Sequence, residues 1–200
     1  MGQPLHQTVL GARQIDARDS DLGESEFPGQ GLNTHNEWMA ADDHLPIVEM
    51  RWRDEADTEA FARSLAASPA LRDAFVELHG DLGAGKTTFV RHLLRALGIT
   101  GRIKSPTYAV VEPHEAPDGL AIFHFDFYRF SDPREWEDAG FRDIFAGPGL
   151  KLAEWPENAA GRTPIADLAI KIEAMTDDTR SVTLLANTPR GGDLLSHAAA

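Results

Sequence analysis

The stretch "LHGDLGAGKTTFV", residues 78–90, sets three glycines, a lysine and two threonines directly after an apolar run. Gly80 to Thr87 fits the pattern G-x-x-x-x-G-K-[ST]. Glycine weakens regular structure, so this density marks a backbone that something must approach closely. In such a loop successive N–H groups curl into a nest. The N-terminus of the helix that follows adds partial positive charge. A polyphosphate suits both features. Lys86 has the reach for the β- and γ-phosphates of a nucleotide, and the Thr87 hydroxyl suits a place on Mg²⁺.

Mg²⁺ takes carboxylate, hydroxyl and water oxygens, so acids are expected at strand ends beside the loop. Glu154 closes the apolar stretch "LKLAE", and Asp126 ends "IFHFD". Either residue taken alone also reads as an ordinary solvated acid. Thr107, in "SPTY", stands about where a loop sensing the γ-phosphate would lie, and a plain Ser-Pro turn is the other reading. The eight histidines show no H-E-x-x-H spacing, which argues against a zinc site. His124 reads as a packed strand residue, and His79 leads into the loop. Trp136 and Trp155 read as core.

These residues need elements to hold them. Order is expected from Pro46. Val48, Met50 and Trp52 alternate with charged neighbours, the pattern of a half-buried strand. "DEADTEAFARSLAAS" follows as a helix with Asp54 as N-cap, ended by Ser68-Pro69. "AFVELH" is a short buried strand running into the glycine loop. Phe89, Val90, Leu93, Leu94 and Leu97 then recur at helical spacing up to Gly98. Strands are expected at 107–112, 120–127 and 150–155, and a helix over 133–145 with Trp136, Gly140 and Ile144 on one stripe. "DLAIKIE" and "SVTLLA", around Asp177-Asp178, suggest a C-terminal antiparallel hairpin. The expected fold is α/β, a P-loop NTPase three-layer architecture with a small mixed sheet that ends in this hairpin. Its domain covers 46–187. Residues 1–44 read as an acidic, disordered extension and 188–200 as a short polar tail.

Composition narrows the function classes. The chain has 200 residues and a net charge of −13, with nine acids against Arg13 and Arg18 in the first 50 residues. Such a surface is poorly suited to gripping a nucleic-acid backbone directly. Any nucleic-acid role would run through other proteins. The absence of cysteine excludes disulfides and thiolate zinc sites. No apolar run approaches the roughly 20 residues of a membrane span, and no secretory pattern opens the chain, which suggests a cytoplasmic protein.

Four motifs, "GDLGAGKTTFVR", "KSPTYAVVE", "HFDFYRFSDPREWEDAGFRDIF" and "AEWPE", follow one another in an order and spacing that resembles the bacterial TsaE family. That family is the small P-loop ATPase of tRNA threonylcarbamoyladenosine biosynthesis. The resemblance covers about 46–187. It implies ATP and Mg²⁺ as cofactors, with Gly83, Ala84, Gly85, Lys86, Thr87 and Thr88 on the phosphates. It further implies Thr87 and Glu154 as metal ligands and Asp126 as the essential acid of the other strand. Thr107 would belong to a switch-like loop, and Trp155 would stand beside the site. The junction "RWRDEADT", with Arg53 and Glu55, would lie near the adenosine. The partners implied are TsaB and TsaD, with tRNA met only through that complex, which hydrolysis resets between turnovers. Alone, the chain would be a monomer or weakly self-associating. The N-terminal extension falls outside the family pattern.

Three other readings of the loop remain open on the residues alone. A small-molecule kinase would need a lid bearing arginines, for which Arg129 and Arg134 are the clustered candidates. A GTPase would carry [NT]-K-x-D, which does not occur. A non-catalytic, nucleotide-dependent adaptor is the third.

Overall fold

The computed structural model describes residues 46–106, 109–130, 136 and 139–198. Thr107, Arg134 and the acidic N-terminal segment lie outside these described residues. The compact unit that holds the loop runs from Leu45 to Ala200. Among the described residues, no helix is long and apolar enough to cross a membrane.

A seven-stranded mixed sheet carries the molecule, in the order β1-β7-β6-β2-β5-β4-β3. β1 (Ile47–Trp52) exposes every second side chain, as its alternating sequence requires, and pairs antiparallel with β7 (Arg180–Ala186). β2 (Phe75–His79) is the fourth of the seven strands. It is parallel to both neighbours, β5 (Leu150–Glu154) and β6 (Leu168–Ala174). The near-continuous apolar runs of β2 and β5 follow from burial on both faces. β4 (Ala121–Asp126) lies parallel to β5, and β3 (Val111–Glu115) closes the edge antiparallel to β4. β6 and β7 are antiparallel, joined through Asp178 at φ 65°.

α1 (Glu55–Ala66) starts where expected, because the Asp54 carboxylate accepts the Asp57 N–H at 3.0 Å. Its Phe61, Ala62 and Leu65 face α2 (Lys86–Ala96), whose Phe89, Val90, Leu93 and Leu94 are buried. Trp52 stacks on Phe89 with ring centroids 5.8 Å apart, so the first strand is locked to the helix that follows the loop. Removing Phe89 to Ala would cost about 3–5 kcal/mol by leaving a cavity there. The other face of the sheet is aromatic. Phe75, Phe125, Phe127 and Trp136 pack there with Phe141 of α3 (Phe141–Ala146).

Three expectations are corrected. Gly140 is not inside a helix: it sits at φ 68°, just before α3. A left-handed glycine breaks helical hydrogen bonding, so the stripe from Trp136 to Ile144 is not one continuous surface. The strand expected at 107–112 begins only at Val111 and continues through Pro113 to Glu115. Proline is tolerated because β3 is an edge strand and need donate on one side only. Residues 189–198, read as tail, form α4 (Pro189–Ala198), with Leu194 and Leu195 buried. Thr188 anchors its start, accepting from the Gly191 N–H at 3.2 Å and donating to Asp167 at 2.6 Å. Two leucines among small and polar residues gave too faint a periodicity to reveal it.

Candidate functional site

The loop at residues 80–85 joins β2 to α2. Gly80, Gly83 and Gly85 all take positive φ, at 133°, 82° and 114°. At Gly80 a side chain is impossible, since an added Cβ would stand 2.1 Å from the Ile172 carbonyl oxygen. Around Gly83 the space is open, with nothing within 4 Å of the corresponding position. The first glycine therefore seats the loop against β6, and the second leaves its outer side approachable.

Lys86 opens α2 and folds back over the loop. Its ammonium donates to the Gly80 carbonyl and, at 3.0 Å, to that of Asp81. It also lies 3.7 Å from the centroid of the Trp155 ring. Burial lowers its pKa, while Glu154, Glu157, Asp126 and Asp81 oppose that shift. Trp155 itself sits at φ 58°, a left-handed turn that ends β5 ahead of Pro156.

The two candidate acids come together. β4 and β5 are in register with Asp126 opposite Glu154, so both carboxylates emerge at the same end of the sheet. Glu154 is 2% exposed, and its Oε2 accepts from the Thr87 hydroxyl at 2.8 Å. Its Oε1 faces His124 Nε2 at 2.9 Å. Asp126 is half-buried, accepts from the Ser105 hydroxyl, and accepts from the Tyr128 N–H at 3.0 Å. A cavity of about 320 Å³ touches Lys86, Thr87, Ser105, Asp126, Glu154 and Trp155.

A second cavity of about 190 Å³ lies across the loop, and the two share Gly83, Gly85 and Thr88. Its walls include Trp52, Glu55, Thr58, Asp178 and Arg180, as well as Ala84. Arg180 reaches over from β7 and donates through Nε to the Ala84 carbonyl at 2.9 Å. Glu55 thus joins the site, while its carboxylate also meets His92 at 2.9 Å. Arg53 lines neither cavity. Its guanidinium is paired with Asp57 at 2.8 and 2.9 Å, in the mainly exposed position its helix-start location dictates.

Sequence reasoning passed over Arg180, Ser105, Tyr128 and the polar role of His124. His124 did carry a signal: it is two residues before Asp126 and so on the same strand face. Ser105 is the first residue of the "SPTY" stretch in which only Thr107 was singled out. For Arg180 no local signal exists, because only the β1-β7-β6 pairing brings it to a loop 96 residues away.

The arrangement is a glycine-lined, cation-bearing loop with a hydroxyl–carboxylate pair at one side. A family model described as "Threonylcarbamoyl adenosine biosynthesis protein TsaE" matches residues 52–182. The chain is 42% identical over 136 residues to the tRNA threonylcarbamoyladenosine biosynthesis protein TsaE of Haemophilus influenzae, covering 68% of this chain and 85% of that protein. It is 38% identical over 143 residues to the Bacillus subtilis protein of the same name, covering 70% and 87%. The crystal structure of Bacillus subtilis YdiB superposes with a TM-score of 0.63 at 30% identity, covering 79% of this chain and 97% of that one. Motifs, fold and relatives agree, and the chain belongs to the TsaE family.

Proposed function

We propose that this chain is a Mg²⁺-dependent ATPase of tRNA threonylcarbamoyladenosine biosynthesis, on a three-layer P-loop fold. The observation that carries this reading is the 2.8 Å hydrogen bond from Thr87 to a buried Glu154, at the rim of the cavity that also holds Lys86. Hydroxyl and carboxylate oxygens are the hard donors Mg²⁺ selects, and the open side of Gly83 leaves the loop amides approachable. The residues present therefore fit ATP with Mg²⁺. Gly83, Ala84, Gly85, Lys86, Thr87 and Thr88 would hold the phosphates, and Thr87 and Glu154 the metal. Bound Mg²⁺ supplies charge neutralisation for phosphoryl transfer.

Each side chain has its own task. Lys86 already parts from bulk water to meet two loop carbonyls, and phosphate oxygens are stronger acceptors for the same ammonium. Asp126, steadied by Ser105 and the Tyr128 amide, would orient a water. Trp155 shields Lys86 from solvent. Glu55 and its neighbours across the loop would take the nucleoside end. Thr107, outside the described residues, would serve as the switch-like element.

TsaB and TsaD would be the working partners, with hydrolysis resetting their complex and tRNA met through them. The acidic charge supports this indirect role. The setting would be the cytoplasm, and the free chain a monomer or weak self-associator. The test is ATP turnover and tRNA modification in a reconstituted TsaB–TsaD system with and without this chain. Modification that needs the chain and ATP hydrolysis supports the reading. Modification that needs nucleotide binding but proceeds without hydrolysis would make the chain an adaptor instead.

A further inference from the structure

His124 is fully buried on β4, between β5 and the edge strand β3, at a position where an apolar residue would be the cheaper occupant. Ile122, two residues earlier on the same strand face, is one such. The imidazole makes one polar contact among the described residues, Nε2 to Glu154 Oε1 at 2.9 Å. Its Nδ1 is buried with no partner among those residues. A polar ring kept in the core with half its capacity unused is explained by the one contact it does make.

That contact bears on the opposite edge of the carboxylate. Glu154 is buried, so an oxygen without a donor would be costly, and the group would turn to find one. With Nε2 donating to Oε1, the remaining edge, Oε2, is left facing Thr87. β4 is parallel to β5 and delivers His124 opposite Leu152, two residues behind the Asp126–Glu154 pair. One strand therefore sets Asp126 beside the cavity and His124 behind it.

We propose that His124 is a positioning residue, fixing the Glu154 carboxylate so that Oε2 stays aimed at Thr87 and the metal position. This rests on the reading above for its consequence in turnover, but the geometric claim stands without it. Outer-shell partners of a ligating carboxylate are worth about 10–100-fold in metal affinity or activity.

The test compares H124A, H124Q and H124N. The Gln amide reaches about where Nε2 lies, and the Asn amide falls short. Crystal structures of the nucleotide-free proteins should show Glu154 turned away from Thr87 in H124A and H124N and in place in H124Q. Mn²⁺ binding in the presence of a non-hydrolysable ATP analogue should weaken about tenfold or more in H124A and H124N. It should recover to within about threefold in H124Q, with metal-free analogue binding unchanged throughout. If H124A does not fold, H124N against H124Q carries the comparison. Glu154 unmoved in H124A or H124N, or metal affinity within about twofold of the parent, overturns the proposal. Absence of ATP turnover in the parent chain, with these structural differences present, would instead count against the ATPase reading alone.

Discussion

The two cavities beside the loop share three residues, Gly83, Gly85 and Thr88, yet are built in opposite ways. On the Glu154 side the polar groups are buried or half-buried, come from the adjacent parallel strands β4 and β5 and from the start of α2, and brace one another through Thr87, Glu154 and His124. On the Arg180 side they are contributed by the start of α1 and by β7, and their partners are backbone carbonyls and surface charges. The first arrangement restrains each carboxylate through more than one contact. The second holds the loop in place and tolerates adjustment. Substitutions should therefore act mainly on turnover on one side and mainly on affinity on the other.

The largest effect is expected on the Glu154 side, at the cation of the loop itself. Lys86→Ala removes the cation that the proposed reading sets on the phosphates, and should lower ATP turnover about a hundredfold or more. Near-normal hydrolysis in that variant, measured by phosphate release, would remove the phosphate role from the loop. Asp126→Asn comes next. It keeps the shape but not the charge, and should cost about 10–100-fold in turnover with nucleotide affinity little changed. Equal losses of affinity and turnover would erase the contrast between the two sides.

Arg180→Ala tests the other side. Losing the bond to Ala84 should weaken nucleotide binding about five- to tenfold and leave turnover of the bound nucleotide close to normal. Calorimetry and single-turnover kinetics together separate these quantities. Arg53→Ala should change neither by more than about twofold, since its partner is Asp57 in the first turn of α1.

The smallest effect concerns pH and stability at the end of β2. His79 lies 3.3 Å from Glu77 and 3.6 Å from Glu157. Burial disfavours its cation, but the hydrogen bonds to Glu157 and Glu77 outweigh that and raise its pKa above the ordinary 6.5. A raised folded value stabilises fully below the unfolded pKa and loses that contribution as pH rises through the folded one. His79→Gln should therefore cost more stability at pH about 5.5 than at pH about 8.5, read by urea unfolding. An equal cost at both would mean the ion pairs add nothing.

The same contrast decided what the sequence disclosed. Lys86, Thr87, Asp126 and Glu154 stand in or beside apolar runs whose strand and helix patterns are strong, so their convergence followed once the strands were known to be parallel neighbours. The α1 cap at Asp54 and the Gly98 stop were legible because capping is local. Arg180 was not, because its place depends on pairings across the whole sheet. Arg53, just ahead of α1, meets its acid Asp57 one turn on and lines neither cavity, a local pairing that the residue type alone does not reveal. β3 starts later than expected because Val110 adopts a left-handed backbone at φ 58°, which a β-branched residue rarely does, and it runs on past Glu112 because an edge position tolerates Pro113.

The central claim is that Thr87 and Glu154 form the oxygen pair that makes turnover depend on Mg²⁺. The most direct measurement is the Mg²⁺ dependence of ATP hydrolysis by Glu154→Gln with TsaB and TsaD present, beside nucleotide binding measured without Mg²⁺. Turnover at least tenfold lower, with metal-free binding within about twofold of the parent, is the result expected. Hydrolysis at the parent rate and with the parent Mg²⁺ requirement would contradict it, leaving Glu154 a structural acid.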